Sequence, residues 1–99
     1  MLVNLVFDYY TDVVDVPEHI GKQLRKYQSK CDKWLYNKSN DHEFWETDNN
    51  GRKKYAVGIC SEAFVYWLNN VELSTNDPKA KIIEKNLSEY DKSLPTIFY

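Results

Sequence analysis

Ile20, Leu24, Tyr27, Cys31, Trp34 and Leu35 follow one another at steps of 4, 3, 4, 3 and 1. At about 100° per residue they share an arc roughly 100° wide. Lys22, Arg25, Lys26, Ser29, Lys30 and Lys33 fall on the opposite side. Asp15-Val16-Pro17-Glu18 reads as the helix start, because Pro in the first turn sacrifices no hydrogen bond and Glu18 suits the positive end of the dipole. The pattern predicts one amphipathic helix from Pro17 to about Lys38, with Gly21 a small cost near its start. Such a helix gains most of its stability by laying its apolar stripe on another surface. The rest of the chain must therefore supply that surface.

Strand patterns supply it. Val3, Leu5, Phe7 and Tyr9 alternate at period two, and Val13-Val14-Asp15-Val16 follows after the polar break Thr11-Asp12. Two such close runs predict an antiparallel hairpin. After the polar loop 37–42, residues 43–47 and 52–59 read as a second hairpin around Asp48-Asn49-Asn50-Gly51, residues that tolerate positive φ. Ser61 and Glu62 open a second helix whose buried face holds Ala63, Phe64, Trp67, Leu68 and Val71, ending near Asn69-Asn70. Trp34 and Trp67 are both expected to be buried. Lys79–Lys85 reads as a strand, and Leu94–Tyr99 as a docked apolar tail. The 99 residues make a single domain. The expected fold is α+β, in two layers: a mainly antiparallel sheet with two helices on one face, in the order β-β-α-β-β-α-β plus the docked C-terminal tail.

Net charge is −2, but it is unevenly spread: residues 21–40 hold six bases and one acid, while residues 1–20 hold four acids and no Lys or Arg. Domain-wide basic excess, the usual footprint of a non-specific nucleic-acid binder, is absent. The 2 cysteines, Cys31 and Cys60, make no disulfide framework, and no signal-like start or membrane-length apolar run occurs. The expected setting is a reducing cytoplasm with free thiols and no membrane contact.

No motif for catalysis stands out. His19 and His42 are the only histidines, and neither belongs to a recognisable constellation. Cys31 lies in the apolar stripe; Cys60 precedes the Ser61 cap, where a helix N-terminus stabilises a thiolate. The cysteines and histidines match no zinc spacing, and Asp41-His42-Glu43 are adjacent rather than convergent. No metal, cofactor or catalytic residue is assigned, and the chain is expected not to be an enzyme.

Two surface features remain. One is the basic helix face: Lys22, Arg25, Lys26, Lys30 and Lys33. The other is an aromatic content of 8 Tyr, 3 Trp and 4 Phe, more than a small core readily hides. Tyr and Trp are enriched at interfaces. Trp45, Tyr10 and Tyr36 lie off or beside the apolar stripes, and strand parity leaves either Phe44 or Trp45 on an uncovered sheet face. Trp45, Tyr10, Tyr36 and the five basic residues are the candidate partner-binding set.

Val16-Pro17-Glu18 leading into a helix that ends in Trp34-Leu35-Tyr36, and Ser61-Glu62-Ala63-Phe64-Val65 leading into Trp67-Leu68, occur in a composition rich in Lys, Asn and Tyr. In this the chain loosely resembles short uncharacterised phage or mobile-element proteins of low-GC Gram-positive bacteria. The resemblance implies roles such as anti-CRISPR-like inhibition of a host defence system, and transfers no catalytic residue. Mimicry of DNA would need a local acidic cluster, for which Asp8, Asp12, Asp15 and Glu18 are the candidates. The expected function is a non-catalytic binding module acting by contact with a protein partner. A homodimer is the competing partner, and a nucleic-acid-binding role for the basic helix face with residues 52–54 is the alternative.

Overall fold

The computed structural model describes residues 1–99. In chain order the elements are β1 (Leu2–Val6), β2 (Thr11–Asp15), α1 (Glu18–Gly21), α2 (Leu24–Leu35), β3 (Trp45–Glu46), β4 (Ala56–Val57), α3 (Ser61–Trp67), a π-helical turn (Leu68–Glu72), β5 (Lys81–Leu87) and β6 (Thr96–Phe98). The fold is α+β. A four-stranded sheet in the order β5-β2-β1-β6 stands beside a separate two-stranded piece, β3-β4.

The first hairpin forms as the alternation predicts, with Leu2 opposite Asp15 and Val6 opposite Thr11. Phe7 N–H donates to the Tyr10 carbonyl at 2.8 Å, leaving Asp8 and Tyr9 as a two-residue tip. Thr11 and Asp12 are not a break between strands. They open β2, and both are buried. β5 pairs antiparallel with β2. The C-terminal tail does more than dock: β6 runs parallel to β1, flanked by Asn4 N–H to Pro95 O at 2.8 Å and Tyr99 N–H to Val6 O at 2.9 Å. The sheet is therefore mixed, with two antiparallel pairings and one parallel.

The single long helix of the sequence reading divides in two. Gln23 leaves helical geometry at φ −133° and ψ 45°. Just before it, Gly21 lies so close to β1 that a Cβ there would sit 2.3 Å from Met1 Sδ and 3.4 Å from Val3 Cγ1. The missing side chain lets α1 approach β1 closely, and after Gln23 the chain restarts as α2. The stripe survives the break: Ile20, Leu24, Tyr27, Cys31 and Leu35 are all buried.

The second hairpin shrinks to two residue pairs, Trp45 with Val57 and Glu46 with Ala56. Asp48 Oδ1 accepts the N–H groups of Asn50 and Arg52 at 3.0 and 2.7 Å, while Gly51 and Lys54 take positive φ. These local turns consume backbone groups that longer strands would have paired. At the end of α3 the chain unwinds into a wider turn, with Leu73 N–H reaching Leu68 O, five residues back, at 2.8 Å. That turn buries both leucines and presents Asn69, whose amide brackets Ala80 through bonds of 2.7 and 3.0 Å at the entry to β5.

One core of 17 residues lies between the sheet and the helices. Val3, Leu5, Val14, Val16 and Ile97 enter it from the sheet, Ile20 to Leu35 from α1 and α2, and Ala63, Phe64 and Trp67 from α3. All helices thus cover one face. Trp67 is 2% exposed, as expected, but Trp34 is only half-buried, stacked on His42 at 5.5 Å and tilted against Tyr66 at 6.3 Å. The helix ends beneath it, so Trp34 meets the loop that follows rather than the sheet.

Candidate interaction surface

The structure divides the candidate aromatic residues into two groups that no ring contact joins. Trp45 and Tyr36 belong to the arm formed by residues 36–58. Trp45 is not an open-face residue of the main sheet. Its indole N–H donates to Asn40 O at 2.8 Å, its ring stacks on His42 at 5.0 Å and 10°, and Tyr36 meets it edge-on at 6.5 Å. His42 is held between Trp34 and Trp45. Its Nε2 donates to Leu35 O at 2.9 Å while Nδ1 accepts from Phe44 N–H at 3.2 Å, both satisfied by the Nε2–H tautomer. This cluster uses its polar atoms internally and joins the loop after α2 to the helix. Tyr36 is its exposed outer member.

Tyr10 belongs elsewhere. It stacks on Phe7 at 4.9 Å and 20°, and Phe7 stacks on Tyr99 at 4.9 Å and 6°. This three-ring pile sits at the β1–β2 tip. Phe7, Asp8, Tyr9, Tyr10, Ile59 and Tyr99 line an open hollow of about 300 Å³ there. Tyr9, at the crown of the turn, is 95% exposed. Burial, followed by the nearby negative charges, raises the Tyr10 phenol above its ordinary range, and burial does the same to Tyr99. Both therefore remain neutral hydroxyls that donate and accept. The hollow offers aromatic and aliphatic walls, three phenols and a single acid, Asp8.

The sequence pattern missed Phe7, Tyr9, Ile59 and Tyr99. Period-two alternation placed Phe7 and Tyr9 on the core side of a strand reaching residue 10. The strand stops at Val6, and the turn carries Tyr9 into solvent. The four residues between Val6 and Thr11, with Asp8-Tyr9 at their centre, were the available signal.

Beneath the tip, Asp12 is 1% exposed and faces the helices. Its Oδ2 accepts the Ser61 hydroxyl at 2.6 Å and its Oδ1 accepts Asn86 N–H at 2.9 Å. Glu62 and Lys85 pair just outside at 2.7 Å. The local acidic cluster that DNA mimicry would need from Asp8, Asp12, Asp15 and Glu18 does not form. Asp12 points inward, Asp15 binds the Met1 amine at 2.9 Å at the far end of the hairpin, and Glu18 pairs with Lys22 at 3.0 Å.

The basic face is exposed along α1 and α2, but Lys22 is committed to Glu18 and Lys30 to Glu72 at 2.8 Å. Arg25, Lys26 and Lys33 carry no ion pair. On the arm, Arg52 and Lys54 bind Asp48 and Asp41. Cys60 is half-buried, and burial raises its thiol despite the N–H groups of Ala63 and Glu62. The thiol is held protonated, the opposite of what a nucleophile needs. Cys31 is buried in the core and is raised by the same cause. No three His, Cys, Asp or Glu side chains converge to hold a metal ion. No helix is long and apolar enough to cross a membrane.

No protein-family model matches this chain, and neither a curated protein nor a solved structure matches it.

Proposed function

We propose that this chain is a non-catalytic binding module that engages a protein partner through the β1–β2 tip. The reading is carried by Tyr9, a 95% exposed tyrosine beside a hollow walled by Phe7, Tyr10, Ile59 and Tyr99. An exposed aromatic anchor next to an apolar recess is the composition of an interface hot spot. Trp45 moves from anchor to support in this reading, because its polar atom and its stacking face are already used. The proposed setting is a bacterial cytoplasm, in the anti-CRISPR-like manner of phage or mobile-element inhibitors. Its support is the sequence resemblance together with two unpaired cysteines.

The nucleic-acid alternative rests on Arg25, Lys26 and Lys33, since neighbouring acids engage the other bases of that face. A photo-crosslinking residue placed at Tyr9, with one at Tyr36 as comparison, tests the proposal in the native host's cytosol. The expected result is a discrete protein adduct at position 9, suppressed by an excess of wild-type chain but not by an excess of the Tyr9→Ser chain, and stable to added salt. An adduct with nucleic acid, or binding that weakens log-linearly with salt, would favour the alternative. Adducts at Tyr36 but not at Tyr9 would refute the site.

A further inference from the structure

The helices cover one face of the sheet, and strand parity assigns the other face its own side chains. Leu2, Val6, Val13, Thr96 and Phe98 point away from the core shared by Val3, Leu5, Val14 and Ile97. Leu2 is 41% exposed and Phe98 60%. Residues 88–95 cross this face as a strap. Asn4 Nδ2 donates to Asp91 O at 2.7 Å and to Thr96 Oγ1 at 3.1 Å, which ties the strap to β1. Tyr90 meets Phe98 edge-on at 6.5 Å. The strap covers only part of the face, and a groove of about 400 Å³ remains beside it.

The floor of the groove is apolar: Leu2, Val13, Leu87 and Leu94. Its charged members are Glu84, Glu89 and Asp91, and no Lys or Arg lines it. Glu84 and Glu89 are exposed and make no ion pair. Asp91 Oδ1 accepts the Ser93 hydroxyl at 2.6 Å and the Ser93 N–H at 2.9 Å, which lowers the carboxyl pKa and keeps it anionic. Two bases of this face lie away from the groove, where Lys81 is opposite Asp15 and the Met1 amine binds that same carboxylate; the third, Lys92, stands on the strap and shares an adjoining hollow with Ser88, Glu89 and Tyr90, so the acids still outnumber it three to one at the rim.

We propose that this groove docks a cationic, apolar peptide segment of a partner protein, with an aliphatic side chain on the floor and Lys or Arg against Glu84, Glu89 and Asp91. The sign of the rim decides the class of occupant. Nucleic acid and anionic lipid headgroups meet three carboxylates and are repelled. A second copy of the chain also fits poorly. Its largest group of unpaired cations, Arg25, Lys26 and Lys33, lies on a helix face whose apolar residues are buried on the opposite side, and the others without an ion pair, Lys38, Lys53, Lys79, Lys81 and Lys92, are spread over the loops, the arm, β5 and the strap. A segment alternating aliphatic and basic residues satisfies both the floor and the rim. This surface is distinct from the Tyr9 tip, so either reading can fail without the other.

The test titrates the full chain, with amides followed by NMR, against a short capped peptide alternating lysine and leucine. Two comparison peptides replace leucine by serine or lysine by glutamate. Saturable binding is expected, with shifts concentrated at Leu2, Val13 and residues 87–94, and with neither comparison peptide binding comparably. Glu84→Lys with Glu89→Lys should weaken binding about tenfold or more, roughly 1.4 kcal/mol. Both residues are exposed, so the melting curve should match wild type. Four results would each overturn the proposal: no saturation, shifts centred on residues 7–10, equal binding of the glutamate peptide, or undiminished binding by the folded double variant.

Discussion

Removing the Ser61 hydroxyl should cost far more than a serine at a helix start usually does. Ser61 is buried, and its hydroxyl donates at 2.6 Å to Asp12, itself shut away from water. Ser61→Ala leaves Oδ2 of a buried carboxylate without a partner. Hydrogen bonds to charged groups contribute about 1.5–3 kcal/mol, and an orphaned buried charge lies at the upper end. Asp12→Ala removes the acceptor instead. It strands the Ser61 hydroxyl, whereas Asn86 N–H belongs to an exposed residue that water can reach. The double variant leaves neither a stranded carboxylate nor a stranded hydroxyl. Its cost should therefore fall below the sum of the singles by about 1–2 kcal/mol, the coupling of one buried pair. For a domain of this size each kcal/mol moves Tm by about 4–8 °C, so urea and thermal melts of the four proteins resolve the cycle. Additive costs, or a Ser61→Ala protein within about 0.5 kcal/mol of wild type, would refute the view that this contact locks α3 to β2.

Trp67→Ala should cost about 3–5 kcal/mol, because the ring is enclosed by the core; Trp34→Ala, losing a half-buried ring packed on His42 and Tyr66, should cost clearly less, and equal urea midpoints would contradict the packing described. Burial raises the Asp32 carboxyl, and its Oδ1 has no hydrogen-bond partner. Since the folded pKa lies above the unfolded one, ionisation penalises the folded state; Asp32→Asn should stabilise the protein at neutral pH, and the gain should fade as pH falls through the folded pKa towards the unfolded value near 4. Melts showing a gain that grows on acidification would reverse that sign. Lys26→Gln with Lys33→Gln should leave stability within about 0.5 kcal/mol, since both side chains face water without ion pairs; a large loss in Tm would make the basic face structural.

The layers of this fold were legible because periodicity reports burial directly. Ile20, Leu24, Tyr27, Cys31 and Leu35 had to share a face, and the alternation of Val3 with Leu5 fixed the side of the sheet they cover. What periodicity could not reveal was where regular backbone stops. The break at Gln23 comes two residues after Gly21, whose closeness to Met1 and Val3 is a contact between distant elements that no local pattern records. The tail became a strand because Ile97 fits the core beside Leu5, and only the assembled sheet offers β1 a free edge. The candidate site was less legible for a related reason. Tyr10 was named from its position off the stripes, but its partners Phe7 and Tyr99 come from opposite ends of the chain. Asp12 looked like a loop residue because aspartate is rarely buried. The partner that makes its burial tolerable, Ser61, is 49 residues away.

The same sheet bears on the homodimer considered from the sequence. β5 is a seven-residue edge strand, the usual template for edge-to-edge pairing. In a continuous sheet the two-fold axis stands perpendicular to it, so facing side chains must share parity and the pairing must centre on a residue. Centring on Ile82 sets Lys79 against Lys85, and centring on Ile83 sets Lys81 against Lys85. Centring on Glu84 or Lys85 sets that residue against its own copy. Like charges directly opposite are destabilising. The strand is also interrupted twice, where its register against β2 slips between Val13 and Val14 and again between Thr11 and Val13. Asn86, near the second slip, takes φ 62°, which removes it as a pairing centre. Bulges and edge charges are how sheets avoid adding copies of themselves. The edge of this sheet therefore opposes self-association through β5, which leaves the aromatic tip and the acid-rimmed groove as the surfaces proposed for contact.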